Sequence, residues 1–169
     1  MKKLITMLLA LAAILPLTAQ EVNKQLENVT LRDLNDEPTQ IPYFGEKNLL
    51  IFYMDPDRHK QNEDFTYEVE RTDRASGENL FGMGILNLKD TMLPNGIIRS
   101  MTRKRTEKMN ATVLTDKDRT LQEAWGLGDC NNKFVLLLIS KEGKLVFIRK
   151  GELSEKDKEE FFATVADYR

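Results

Sequence analysis

The stretch Phe134-Val-Leu-Leu-Leu-Ile139, Ser140-Lys-Glu-Gly143, Lys144-Leu-Val-Phe-Ile148 decides the fold. Two apolar runs of strand length are joined by a short loop containing glycine, the pattern of an antiparallel hairpin. Downstream, Ser154 followed by Asp157 makes a capping-box-like helix start, and Phe161, Phe162 and Val165 give that last helix an apolar face. Upstream, Asn48-Leu-Leu-Ile-Phe-Tyr-Met54 is a continuous apolar run, as expected of a strand buried on both faces. It ends at Asp55-Pro56-Asp57, a turn and helix-start signal with an acid as possible N-cap.

The stretch from Arg58 to Arg74 reads two ways, above all over residues 62–70. Phe65 and Val69 are helix-spaced, whereas Phe65, Tyr67 and Val69 alternate like a strand; the Asp-Pro-Asp before them favours a helix. Phe81–Asn87 is a second buried strand. Pro94–Lys108 is an amphipathic helix with Ile97, Ile98 and Met101 on one side. Ala111–Leu114 is a short strand, and Thr120–Trp125 a short helix ended by Gly126 and Gly128. Nearer the N-terminus, Val29–Leu34 alternates like a strand, turns at Asn35-Asp36-Glu37-Pro38, and Thr39–Pro42 forms a short return strand. Helices between the earlier strands imply parallel pairing there, and the hairpin adds an antiparallel edge. The expected class is therefore α/β, a mixed central sheet with parallel strands and a C-terminal antiparallel hairpin, flanked by helices.

Lys2 and Lys3, the apolar run Leu4–Leu15 and the small residue Ala19 before Gln20 have the form of a secretory signal peptide, over residues 1–19. The run is shorter than the ~20 residues that span a bilayer. What remains, residues 20–169, is about one domain in length and needs no disulfide staples. The whole chain carries 25 basic and 27 acidic residues; without Lys2 and Lys3 the balance is 23 to 27. Such a balance gives no global pull toward nucleic acid or an anionic membrane. A periplasmic or secreted protein with no membrane span in the mature chain is expected.

Several stretches resemble known families. Val29-Thr-Leu-Arg-Asp-Leu-Asn-Asp-Glu-Pro-Thr-Gln-Ile41 is similar to the N-terminal segment of TlpA-type extracytoplasmic thiol reductases and peroxiredoxins. Ala111–Gly126 resembles the peroxiredoxin-type segment that closes a strand with an acid and returns through a helix. The stretch from Thr112 through Trp125, Leu136–Phe147 and Lys150-Gly-Glu-Leu-Ser154 looks most like the YtfJ-type family of periplasmic thioredoxin-like proteins. These resemblances imply a thioredoxin-like fold and an envelope location. In redox-active relatives, Cys-x-x-Cys follows the buried strand at a helix N-terminus, where the dipole stabilises a thiolate. Here the matching stretch is Tyr53-Met-Asp-Pro-Asp-Arg-His59, without cysteine, and the loop Gly128-Asp-Cys-Asn-Asn-Lys133 lacks the cis-proline that such proteins place there. Dithiol oxidoreductase and two-cysteine peroxidase activities are therefore not expected.

One cysteine, Cys130, is present, so dithiol chemistry within the chain is excluded by counting. If the topology holds, its loop faces the turn after the first buried strand. The binding edge would then comprise Met54, Asp55, Pro56, Asp57, Asp129 and Cys130. A lone thiol there could form mixed disulfides or pair with another chain. Asp129 beside it raises a thiol pKa, which favours a plain semi-buried loop residue. Asp55, Asp57 and His59, with Cys130 brought across, would make a mixed set able to hold zinc or copper. Helix capping and a solvent-facing histidine explain the same residues. Arg99, Arg103, Lys104, Arg105 and Lys108 form a basic run that could meet a polyanion, a lipid surface or an acidic partner, or simply be a solvated face.

Asn28-Val-Thr30 and Asn110-Ala-Thr112 match the N-glycosylation pattern and are read as coincidental strand-edge residues. No phosphate loop or serine hydrolase elbow is found, no cofactor is expected, and one histidine leaves most hydrolase triads without a base. The leading expectation is a protein that binds an envelope protein or small ligand, not nucleic acid, at residues 54–59 and 128–133.

Overall fold

The computed structural model describes residues 22–169, so the expected signal peptide over residues 1–19 lies outside the described residues. In chain order the elements are β1 (Thr30–Arg32), β2 (Pro38–Gln40), β3 (Asn48–Met54), α1 (Glu63–Arg71), β4 (Leu80–Asn87), α2 (Asn95–Met109), β5 (Val113–Asp116), α3 (Thr120–Ala124), β6 (Phe134–Ile139), β7 (Leu145–Lys150) and α4 (Glu155–Val165). Seven strands form one sheet in the order β2-β1-β5-β4-β3-β6-β7. β3, β4 and β5 are parallel neighbours. Antiparallel pairs flank them, β1 against β5 and β2 on one side, β6 against β3 and β7 on the other.

The unbroken apolar runs are explained by the sheet's two covered faces. Side chains alternate along a strand, so a run that is apolar throughout feeds two cores. In β6, Val135, Leu137 and Ile139 join Ile51, Tyr53, Ile85, Leu121 and Trp125 on one face. Phe134, Leu136 and Leu138 join Leu50, Phe65, Phe161, Phe162 and Val165 on the other, where α1 and α4 pack. Phe161 meets both Phe65 and Phe147 edge-on, at centroid separations of 5.4 and 5.7 Å.

Residues 62–70 are mainly helical, with Phe65 and Val69 buried as the 3.6-residue period requires. The helix starts later than Asp55-Pro56-Asp57 suggests: those residues lead into a separate 3-10 turn, Pro56–Arg58, and Asn62 with φ +61° precedes α1. α4 has its capping box, Ser154 accepting from the amide of Asp157 while the Asp157 carboxylate accepts from that of Ser154. α2 departs from expectation. Of Ile97, Ile98 and Met101 only Ile98 is buried; Ile97 is 51% and Met101 64% exposed. Its inward side instead carries Arg99, which reaches Asp36 of the β1–β2 turn at 2.7 Å. A polar tether there outweighs the apolar stripe.

Candidate functional site

Parallel β3, β4 and β5 end on the same edge, with Met54 in register with Leu86 and the next residue, Asn87, in register with Asp116. In open α/β sheets, ligands bind outside the carboxyl ends of such strands. The loop 128–133 crosses this edge and is hydrogen-bonded to the turn after β3. The Asp55 amide donates to the Lys133 carbonyl (3.2 Å), the Asn132 amide donates to Asp55 Oδ2 (2.7 Å), and Arg58 Nε reaches Asn132 Oδ1 (3.3 Å).

Asp55 is the centre of this junction. It is fully buried, and its other oxygen accepts from the Asp57 amide at 2.9 Å. Its carboxylate thus ties the turn after β3 to the loop before β6. Asp57 is exposed but also engaged: Thr91 Oγ1 and the Met92 amide donate to its two oxygens at 3.1 and 3.0 Å. Pro56 and Met54 are half-buried, and the exposed His59 ring lies 3.2 Å from the Pro56 carbonyl. Among the described residues no three His, Cys, Asp or Glu side chains form a group that could hold a metal ion.

Cys130 faces inward. It has no exposed surface, belongs to the core cluster with Tyr53, Leu127 and Val135, and its sulfur lies 3.6 Å from the Gly128 carbonyl. Burial pushes its thiol pKa up to about 11; Asp129 and Asp90 add to the rise, while Lys150 and Lys133 oppose it. Asp129 is exposed and bonded to Lys133 at 2.7 Å, a contact that lowers its own pKa. A neutral thiol without access to solvent is a poor nucleophile.

Beneath the edge lies a polar group that the sequence did not single out. Asp116, at the end of β5, is 1% exposed and accepts from the amides of Thr120 (2.7 Å), Leu121 (3.0 Å) and Gln122 (3.4 Å) at the start of α3, and from the Tyr53 hydroxyl (3.3 Å). Burial raises its pKa although these four donors oppose the rise. Burial, reinforced by Asp116, also holds the Tyr53 hydroxyl firmly protonated. Asp90 pairs with Arg119 and accepts from Asn87 Nδ2 at 2.8 Å; the Arg119 bond is the main cause of its lowered pKa. The acid closing a strand ahead of a helix was the readable signal for Asp116. Asp90 had none, since its charged partner, Arg119, lies in another segment.

Other candidates have structural roles. Asn28 bonds both ways with the backbone of Ile41 at 3.1 Å, and Asn110 ends α2 in the left-handed conformation, with φ +50°. Arg99 and Arg103 point inward, the latter donating to the Leu34 carbonyl, which leaves Lys104, Arg105 and Lys108 as the exposed part of the basic run. A hollow of about 400 Å³ lined by Arg74, Glu159, Phe162, Ala163, Ala166 and Arg169 contains none of the edge residues.

No family model and no curated protein matches the sequence. Solved structures do match in shape. A peroxiredoxin-like protein from Aquifex aeolicus superposes with a TM-score of 0.60 at 14% identity, over 88% of this chain and 87% of that one. The fold is thioredoxin-like. An exposed lipoprotein thioredoxin from Streptococcus pneumoniae also gives 0.60, at 16% identity over 83% and 99%. A putative thioredoxin from Neisseria meningitidis gives 0.59, at 17% identity over 86% and 91%. At these identities the likeness establishes the thioredoxin-like fold alone. Among the described residues no helix is long and apolar enough to cross a membrane.

Proposed function

We propose that this is an exported thioredoxin-fold protein of the cell envelope, of YtfJ-type kinship, that works by binding a protein or small ligand at the edge of residues 54–59 and 128–133 rather than by thiol–disulfide exchange. One observation carries the reading: the chain's single thiol faces the core, and Asp55 bonds across the turn that the sequence resemblance would assign to a reactive pair. The signal-like first 19 residues support export, and the C-terminal sequence pattern supports the subfamily.

Cells expressing the full chain provide the test. The exported protein is expected to begin at Gln20 and to carry Cys130 as a free thiol after exposure to glutathione disulfide, as read by intact mass and peptide mapping. A glutathione or protein adduct on Cys130 in the native protein would overturn the binding reading in favour of single-thiol exchange. Retention of residues 1–19 would overturn the export assignment.

A further inference from the structure

All the exposed large hydrophobic residues of the described chain except Tyr43 lie in one segment: Met92 (90%), Leu93 (49%), Ile97 (51%), Met101 (64%) and Met109 (43%). Leu93, Ile97, Met101, Lys104 and Lys108 follow one another at intervals of four, four, three and four residues, so they fall along one side of α2 and its N-terminal approach. Packing does not use this side, because Ile98 and Arg99 hold the helix to the body from the opposite one. Single exposed apolar residues are ordinary, but a contiguous apolar line marks an interaction surface.

We infer that this side of α2, together with Met92 and Leu93, is the docking surface for an acidic amphipathic segment of a partner protein. Three observations specify the partner. The exposed bases Lys104, Arg105 and Lys108 form no ion pair among the described residues, and Glu107 is the only acid on the helix; an otherwise slightly acidic chain thus presents an unneutralised positive end. Apolar and basic residues occupy successive parts of one line. A complementary segment therefore carries apolar side chains at one end and Asp or Glu at the other. A lipid surface fits less well: a helix lying flat on it would press Lys104 and Lys108 toward the hydrocarbon together with Ile97 and Met101, rather than flanking them. Finally, the anchors are methionine, leucine and isoleucine without an aromatic residue, the adaptable kind of surface that moulds to a helix or extended peptide.

The surface adjoins the binding edge. The Met92 amide and the Thr91 hydroxyl both bond to the Asp57 carboxylate, so the apolar line begins where the turn after β3 ends. The inference rests on the binding reading and names the partner's chemistry.

A displayed library of random 15-residue peptides, selected on the mature chain, tests it. Enriched peptides are expected to combine apolar residues with a run of Asp or Glu. Their binding should weaken at least tenfold in Ile97→Glu/Met101→Glu and in Lys104→Glu/Lys108→Glu, and should fall with added salt. These residues are exposed, so unchanged circular dichroism and melting temperature will verify folding. Enriched peptides without acidic character, or ones indifferent to both double variants, would overturn the inference. Peptides lost on His59→Ala/Asp129→Ala but not on the α2 variants would overturn it while leaving the edge reading intact. Absence of enrichment, with or without sedimentation on phosphatidylglycerol vesicles, would overturn it too, since a peptide-binding face must select peptides.

Discussion

At the scale of single residues, Asp55 has a structural role, because its two oxygens receive the amides of Asp57 and Asn132 from different loops. Removing the carboxylate strands two donors at a buried site, each costing about 1–3 kcal/mol when left unsatisfied. Asp55→Ala is therefore expected to lower unfolding stability by about 2–4 kcal/mol in urea titration, with Asp55→Asn falling between it and the parent. A loss under about 0.5 kcal/mol would mean the loops are held by other contacts. Asp116 gives a pH signature of opposite sign to the usual acid. Its folded pKa is raised above the ordinary 3.8, so the folded state holds the proton more tightly than the unfolded chain. Its contribution is present below 3.8 and is lost as pH rises through the folded value. Urea titrations across acidic pH should show the parent losing stability relative to Asp116→Asn over that window; a difference that is flat or rises with pH would contradict the assignment.

At the scale of elements, helix ends and faces make separable claims. Loss of the Ser154 cap in Ser154→Ala should cost about 1 kcal/mol, read from the shift in the urea midpoint. On α2 the two isoleucines should behave differently although they are adjacent. Ile98 is 5% exposed and packs with Leu86 and Leu88, so Ile98→Ala is expected to cost about 2–4 kcal/mol. Ile97 is 51% exposed, and Ile97→Gln should stay within about 0.5 kcal/mol of the parent. The same helix marks where reading from sequence stopped. β3, β6 and the closing hairpin were legible because long apolar runs leave few alternatives to buried strands. The inward side of α2 was not, because Ile97, Ile98 and Met101 look alike in a periodic pattern and the choice among them is made by Arg99 reaching Asp36 in a distant turn. The late start of α1 escaped for a related reason: Asp55 caps a 3-10 turn as readily as a helix.

For the whole molecule, the sheet order brings the turn after β3 and the loop before β6 to one edge, a juxtaposition that topology alone suggested. Which way Cys130 points along that loop was not legible, since a single cysteine between polar residues fits either an exposed thiol or a buried one. Packing decides it: the sulfur joins Tyr53, Leu127 and Val135 in the core, while Asp129 and Asn131 beside it stay in solvent. The polar groups of the turn and the loop are bonded to each other, Asp55 to the amides of Asp57 and Asn132 and Asp129 to Lys133, so hydrogen bonds hold this edge together. The most direct measurement is the rate at which the thiol of the native mature chain reacts with an alkylating reagent near pH 8, compared with the urea-unfolded chain. A native pKa near 11 suppresses the thiolate on the order of 100-fold relative to an ordinary thiol, and burial slows access further. A native rate lower by that factor or more is expected; a native rate equal to or faster than the unfolded one would contradict the account.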